Sequence, residues 1–269
     1  MNKKNYLELI SKSKKAFIIY KNNKGFDLYT NFSKKTILTK KNVHNFIDKI
    51  CRKKLKFKNT DLYIGFFGYE ILNNLIGINL PKQKGFKFPK GIFYKPETKI
   101  RLSNNLSYQT PSSKKFNKNF VINLNRDYYE KIFNKFKKKI KSGETYQIKI
   151  CTKYKNNSQI DALDFFCRLA KSNLAPEAFM IKDDNYSIIS CSPENLISKK
   201  KNFITTKPIA GTLKKSKKQN KLKALSFFKK NIKETKEHNM IVDMERSDLS
   251  RICKTGSVKI IKEKIVEEY

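Results

Sequence analysis

The sequence predicts a mixed α/β protein, on three observations. Short apolar runs with strand character, such as Ala16 to Tyr20, Asp61 to Phe67, Glu177 to Ile181, Tyr186 to Cys191 and Phe203 to Thr206, recur along the chain. Two stretches carry apolar residues at helical spacing. Strands and helices alternate irregularly, which does not fit a doubly wound parallel sheet.

The first helix is expected after Asn125, a side chain suited to capping, with Tyr129, Ile132, Phe133, Phe136 and Ile140 at i, i+3, i+4, i+7 and i+11 and Gly143 as the stop. Its role is packing, with its lysines in solvent. The second starts at Asp161 and places Leu163, Phe166, Leu169 and Ala170 on one face. Between them, Glu144 to Tyr154 alternates Tyr146, Ile148 and Ile150 with Gln147, Lys149 and Cys151, the pattern of a strand that would leave Gln147 facing a cleft. Nearer the N-terminus, His44 to Ile50 reads as a helix and Pro81 to Lys95 as a loop-rich connection. The polar, lysine-rich stretch 104–119 is the best boundary, dividing the chain into regions 1–115 and 116–269. Leu213 to Lys223 reads as a loop leading into a helix.

Composition narrows the function classes. A chain of 269 residues with 39% hydrophobic content can build a real core. No apolar run approaches the roughly 18 residues of a membrane span, and Met1-Asn-Lys-Lys-Asn-Tyr6 is followed by no apolar signal core, so the cytoplasm is the expected location. Five cysteines, at 51, 151, 167, 191 and 253, form no Cys-x-x-Cys pair and are expected as buried or semi-buried free thiols. The net charge of +37 invites a nucleic-acid reading. Only six basic residues are arginines, the side chain with the planar fork that suits specific recognition, and the lysines are spread evenly. Nucleic acid is therefore a secondary alternative.

Chemistry concentrates in Ser190-Cys-Ser-Pro-Glu-Asn-Leu-Ile197 and Thr206-Lys-Pro-Ile-Ala-Gly-Thr212. Each follows a strand-like run and offers a polar group at a Pro-containing turn. Glu194 is a carboxylate. Gly211 admits close approach of a ligand to the backbone, and Thr212 adds a hydroxyl and an N–H, a pairing suited to an anion.

These two segments resemble the central motifs of the chorismate-utilising enzymes. Glu237-His-Asn-Met-Ile-Val-Asp-Met-Glu-Arg-Ser-Asp-Leu-Ser-Arg251 resembles the helix that follows in that family, and Gly143-Glu-Thr-Tyr-Gln-Ile-Lys-Ile150 the strand that precedes. Leu62-Tyr-Ile-Gly-Phe-Phe-Gly-Tyr-Glu70 is a weaker match near the N-terminus. The pattern is most similar to anthranilate synthase component I. The resemblance implies antiparallel sheets packed as a sandwich with helices outside. It also implies that chorismate loses its C4 hydroxyl to a general acid, a role worth roughly 10²- to 10⁴-fold, and Glu194 matches that position. Glu237 matches a glutamate that binds Mg²⁺, the hard cation that holds the ring carboxylate. Ala210, Gly211, Thr212 and Arg251 match substrate-binding positions.

The family's water-adding members carry a lysine where this chain has Gln147, and aminodeoxychorismate synthases commonly carry one where it has Ala210. Lacking both amines, the chain resembles the enzymes in which free ammonia, delivered by a glutamine amidotransferase subunit, attacks C2 and gives anthranilate and pyruvate. Aminodeoxychorismate synthase component I is the alternative. The Leu-Leu-Glu-Ser motif tied to tryptophan feedback is absent, so that regulation is not carried over. Arg246 and Asp248 are expected to form a structural ion pair. The family continues past Ile265-Val-Glu-Glu-Tyr269 into a His-containing helix, a Gly-rich segment and a second metal glutamate. The expectation is a fragment or a degenerate copy that alone does not turn over chorismate.

Overall fold

The computed structural model describes residues 3–52, 62–78, 88–108, 117–173, 175–214 and 220–268. The chain forms two compact units, residues 1–108 with 166–269, and residues 109–165.

The larger unit is built on a six-stranded sheet in the order β3-β4-β2-β1-β7-β8. These strands are β1 (Phe17–Asn22), β2 (Gly25–Ile37), β3 (Ile64–Phe67), β4 (Gly91–Leu102), β7 (Glu177–Lys182) and β8 (Ser187–Ser192). Every ladder is antiparallel. The fold class is therefore the mixed α/β class with antiparallel strands and helices.

The β1–β2 hairpin turns on Asn23 and Lys24. Asn22 Oδ1 accepts from the Lys24 N–H at 2.7 Å, and Gly25 takes φ +132°, where a Cβ would lie 2.8 Å from Asn104 Oδ1. Alternation along β1 gives the sheet two apolar faces. Ile18 joins Tyr29, Ile92, Tyr94 and Ile181 on one. On the other lie Phe17, Ile19, Phe26, Leu28, Ala178 and Met180, all buried. Phe166 of helix α5 (Ala162–Ser172) covers this second face, its ring 6.0 Å from Phe26 in an edge-on contact.

Helix α1 spans Lys3–Lys12, and α2 (Val43–Arg52) packs Val43 and Phe46 with Leu38 and Ile71 at the β3 side of the sheet. A 3₁₀ turn (Tyr69–Ile71) runs into the one-turn α3 (Leu72–Leu75). Two further strands, β9 (Ser198–Lys200) and β10 (Phe203–Thr205), form a separate ribbon. Helices α6 (Lys221–Lys230) and α7 (Ile232–Ser250) follow, capped by Asn220 and Asn231, whose side chains accept from the N–H groups of Lys223 and Glu234.

The smaller unit holds β5 (Val121–Ile122) paired with β6 (Tyr154–Lys155), and α4 (Arg126–Lys141). Asn125 caps α4 through the Tyr128 N–H, and Gly143 ends it at φ +77°, both as predicted. The expected packing stripe is only half covered: Ile132 and Phe136 are half-buried, while Tyr129, Phe133 and Ile140 are exposed.

Three other expectations need correction. Residues 144–153 form no strand among the described residues; ladder-like backbone pairing begins only at the last of them, where the Lys153 carbonyl accepts from the Asn123 N–H at 3.2 Å beside the β5–β6 pair. Residues 91–95, read as loop, are the start of the twelve-residue strand β4. Cys151 is exposed, while Cys167 is buried and Cys191 and Cys253 are intermediate. Residues 81–87 of the predicted connection, 109–116 of the predicted boundary, 215–219 of the loop before α6, and the Cys51 side chain lie outside the described residues.

Candidate functional site

The turn that carries Glu194 is folded by its own sequence. β8 ends at Ser192, whose Oγ accepts from the Glu194 N–H at 3.2 Å and lies 3.1 Å from the Glu194 carbonyl, to which it can donate. Pro193 fixes its own φ and supplies no donor to prolong the strand. Glu194 is exposed, and its Oε1 accepts a hydrogen bond from the backbone N–H of Ile209 at 3.1 Å. That bond joins the two motifs that sequence reading singled out.

In the second motif Pro208, Ile209, Ala210 and Gly211 are half-buried and Thr212 is exposed. Gly211 adopts φ +80°, and a Cβ there would meet the Phe228 ring at 2.7 Å and Glu234 Oε2 at 3.0 Å. The loop is thus held against α6 and the first turn of α7. Glu237 lies three residues beyond Glu234, so the two carboxylates share one face of the helix. Met240, Ile241 and Met244 are half-buried as well.

Arg251 is the C-cap of α7 and is exposed. The helical rise sets it about 21 Å along the axis from Glu237, so these two predicted residues stand at opposite ends of the helix. Arg246 pairs with Asp243 at 3.5 Å and not with Asp248. Residues three apart share a helix face, whereas residues two apart do not. Gln147 is exposed in the smaller unit, where its carbonyl accepts from the Thr145 hydroxyl at 3.2 Å.

One residue that sequence reading passed over lines the same cleft as Glu194. Glu177, at the start of β7 and directly opposite Ser192 in the ladder, receives Tyr20 Oη at 2.7 Å on one oxygen and Asn195 Nδ2 at 3.0 Å on the other. Burial and the bond to Glu177 push the Tyr20 phenol up, so it stays a neutral donor. Burial likewise pushes up the Cys191 thiol, with Lys21 pulling the other way. Glu177, Asn195 and Glu194 line a cleft of about 430 Å³ whose apolar wall includes Ile18, Phe179 and Ile181. No sequence signal marked Glu177, because its partners, Tyr20 on β1 and Asn195 in the turn after β8, lie 157 and 18 residues away.

Among the described residues no group of three or more His, Cys, Asp or Glu side chains is gathered for a metal. Mg²⁺ needs only one or two carboxylates, since it keeps several of its waters. Glu237, half-buried with Glu234 one turn before it, fits that demand. No described helix is long and apolar enough to cross a membrane.

The crystal structure of anthranilate synthase component I from Streptococcus pneumoniae TIGR4 has the same fold, with a TM-score of 0.69 at 21% identity over 95% of this chain and 64% of that one. The chain is 27% identical over 233 residues to the anthranilate synthase component I-like protein of Synechocystis, a stretch that is 77% of this chain and 48% of the relative. It is 31% identical over 151 residues to aminodeoxychorismate synthase component 1 of Bacillus subtilis, covering 56% of this chain and 33% of that protein. The chain spans about half, or less, of the length of these curated relatives. The family described as chorismate binding enzyme matches residues 3–269, and the chain belongs to it.

Proposed function

We propose that this chain serves the reaction of anthranilate synthase component I, in which chorismate and ammonia give anthranilate, pyruvate and water. Ammonia adds at C2 and the C4 hydroxyl departs as water. Loss of the C2 proton then breaks the C3–O bond, and the departing enolpyruvate takes up a proton on its methylene carbon to become pyruvate. Glu194 supplies the proton to the departing oxygen. The observation that carries this reading is the Glu194–Ile209 hydrogen bond, which holds the acid against the loop bearing Ala210, Gly211 and Thr212. That loop, with Gly211 in its left-handed conformation, is the place for a substrate carboxylate. Bound Mg²⁺ would neutralise the ring carboxylate, and Glu237 is the residue that would hold it. Gln147, in the smaller unit, offers no amine to activate water, and Arg251, about 21 Å along α7 from Glu237, stands apart from the proposed metal residue.

The amine at Ala210 is missing, so the nucleophile is ammonia, delivered by a glutamine amidotransferase subunit in the cytoplasm. The relative named aminodeoxychorismate synthase component 1 favours a second reading, in which the amino group enters at C4. The charge of +37 favours a third, non-catalytic binding of nucleic acid. The reading also includes no turnover by residues 1–269 alone.

One assay addresses these readings. The 269-residue chain and the complete gene product are each given chorismate, Mg²⁺ and ammonium, and fluorescent anthranilate is measured. Anthranilate from the complete product alone supports the proposal. Aminodeoxychorismate in its place moves the protein to the second reading. Nucleic-acid binding that persists at physiological salt without turnover favours the third.

A further inference from the structure

We propose that Glu177 is a positioning residue that fixes the turn carrying Glu194, with Asn195 as its handle. The role of Glu194 itself rests on the function proposed above; the mechanical claim does not.

The sheet register creates the arrangement. Tyr20 of β1 lies opposite Phe179 of β7, so Glu177, two residues before Phe179, is its diagonal neighbour on the same face. Glu177 is also opposite Ser192, the last residue of β8. One carboxylate therefore touches a rigid central strand and the mouth of the turn together. Both of its oxygens are engaged, Oε2 by the Tyr20 hydroxyl at 2.7 Å and Oε1 by Asn195 Nδ2 at 3.0 Å. Bonds of this kind, to an ionised acceptor, are shorter and about twice as strong as neutral ones.

Asn195 directly follows Glu194, whose other connection is to the Ile209 N–H. A continuous path thus runs from β1 through Tyr20, Glu177 and Asn195 to Glu194 and on to the 208–212 loop. Ser192 closes the turn locally, but it leaves the orientation of the turn relative to the sheet free. Glu177 supplies that orientation. Residue 194 is exposed and cannot be held by packing, so hydrogen bonds must hold it.

Three variants test this: Glu177→Ala, Asn195→Ala and Glu177→Gln. Asn195→Ala removes the link while leaving the Tyr20–Glu177 bond, which guards against a Glu177→Ala protein that does not fold. Glu177→Gln keeps an acceptor for Asn195. The first readout is amide hydrogen exchange of the peptides containing residues 192–197 and Ile209 in the 269-residue chain. Both alanine variants are expected to exchange about tenfold faster there, the scale of losing one hydrogen bond to a charged group, with Glu177→Gln close to the parent and the rest of β1 and β7 unchanged. Unaltered exchange at Ile209 in Asn195→Ala overturns the proposal.

The second readout is product formation by the complete gene product. The alanine variants are expected to lower kcat about tenfold or more with KM little changed, since a misplaced catalytic group costs rate, and Glu177→Gln to restore it. Equal losses in all three variants overturn the positioning role. If the parent makes no product, the reaction assignment fails and the exchange result alone decides on Glu177.

Discussion

Lys35 and Asp183, 148 residues apart in sequence, meet at 2.7 Å, and the Tyr94 hydroxyl closes on the same buried carboxylate at 2.6 Å. Lys35 lies on β2, Tyr94 on β4, and Asp183 just after β7, so one acid ties together three parts of the sheet. Burial works against the ionised form of Asp183. The hydrogen bonds from Lys35, Tyr94 and the Asp184 N–H outweigh it and hold the carboxyl below its usual range.

Asp183→Asn is therefore expected to destabilise the chain by about 2 kcal/mol at neutral pH, the scale of a hydrogen bond to a charged group. The folded-state pKa is lower than the unfolded one, so this contribution is complete above about pH 4, the ordinary value of an aspartate. It is lost as pH falls through the lower folded value. Urea midpoints of parent and variant should accordingly draw together as pH falls below the ordinary aspartate range. A gap as wide at low pH as at neutral pH would remove charge from the explanation.

Glu194→Gln keeps an oxygen that can accept from Ile209 but has no proton to give. The expected result in the complete gene product is a loss of roughly 10²- to 10⁴-fold in anthranilate formation, with the melting temperature unchanged. Parental activity in this variant rules Glu194 out as the acid.

Gly211→Ala meets both a left-handed backbone and a filled space, since its Cβ would sit 2.7 Å from Phe228 and 3.0 Å from Glu234. The backbone alone costs about 1–2 kcal/mol. Thermal unfolding should register that loss, and KM for chorismate should rise as the loop shifts from α7. Unchanged values of both would mean the loop yields without consequence.

Phe166→Ala tests the second apolar face of the sheet. Phe166 is fully buried against Phe26, and removing a phenyl group from such a site costs about 3–5 kcal/mol. A loss under 1 kcal/mol in denaturant titration would show that α5 does not depend on this contact.

The sequence alone determined what is local. Asn125 and Gly143 bounded α4 because capping and left-handed termination need only the residues concerned. The stripe Leu163, Phe166, Leu169 and Ala170 marked the inner face of α5, all of it buried but the half-buried Leu169, because helical spacing does not depend on the partner. The motifs around Glu194 and Gly211 were legible because their turn chemistry and their resemblance to the chorismate-utilising enzymes are written in consecutive residues.

Tertiary structure decided whatever depends on pairing. β2 and β4 are the longest of the described strands, yet lysines and threonines interrupt their apolar pattern; their extent comes from a ladder that runs from Phe26↔Leu102 to Ile37↔Ile92, between residues far apart in sequence. The alternating segment 144–153 has the opposite fate: it is patterned as a strand, but among the described residues only its last residue, Lys153, meets facing backbone, at Asn123 beside β5. Glu177 was silent in sequence for the same reason. A carboxylate becomes a structural link only when folding brings Tyr20 and Asn195 to its two oxygens, and strand register, which no single segment encodes, is what brings them there.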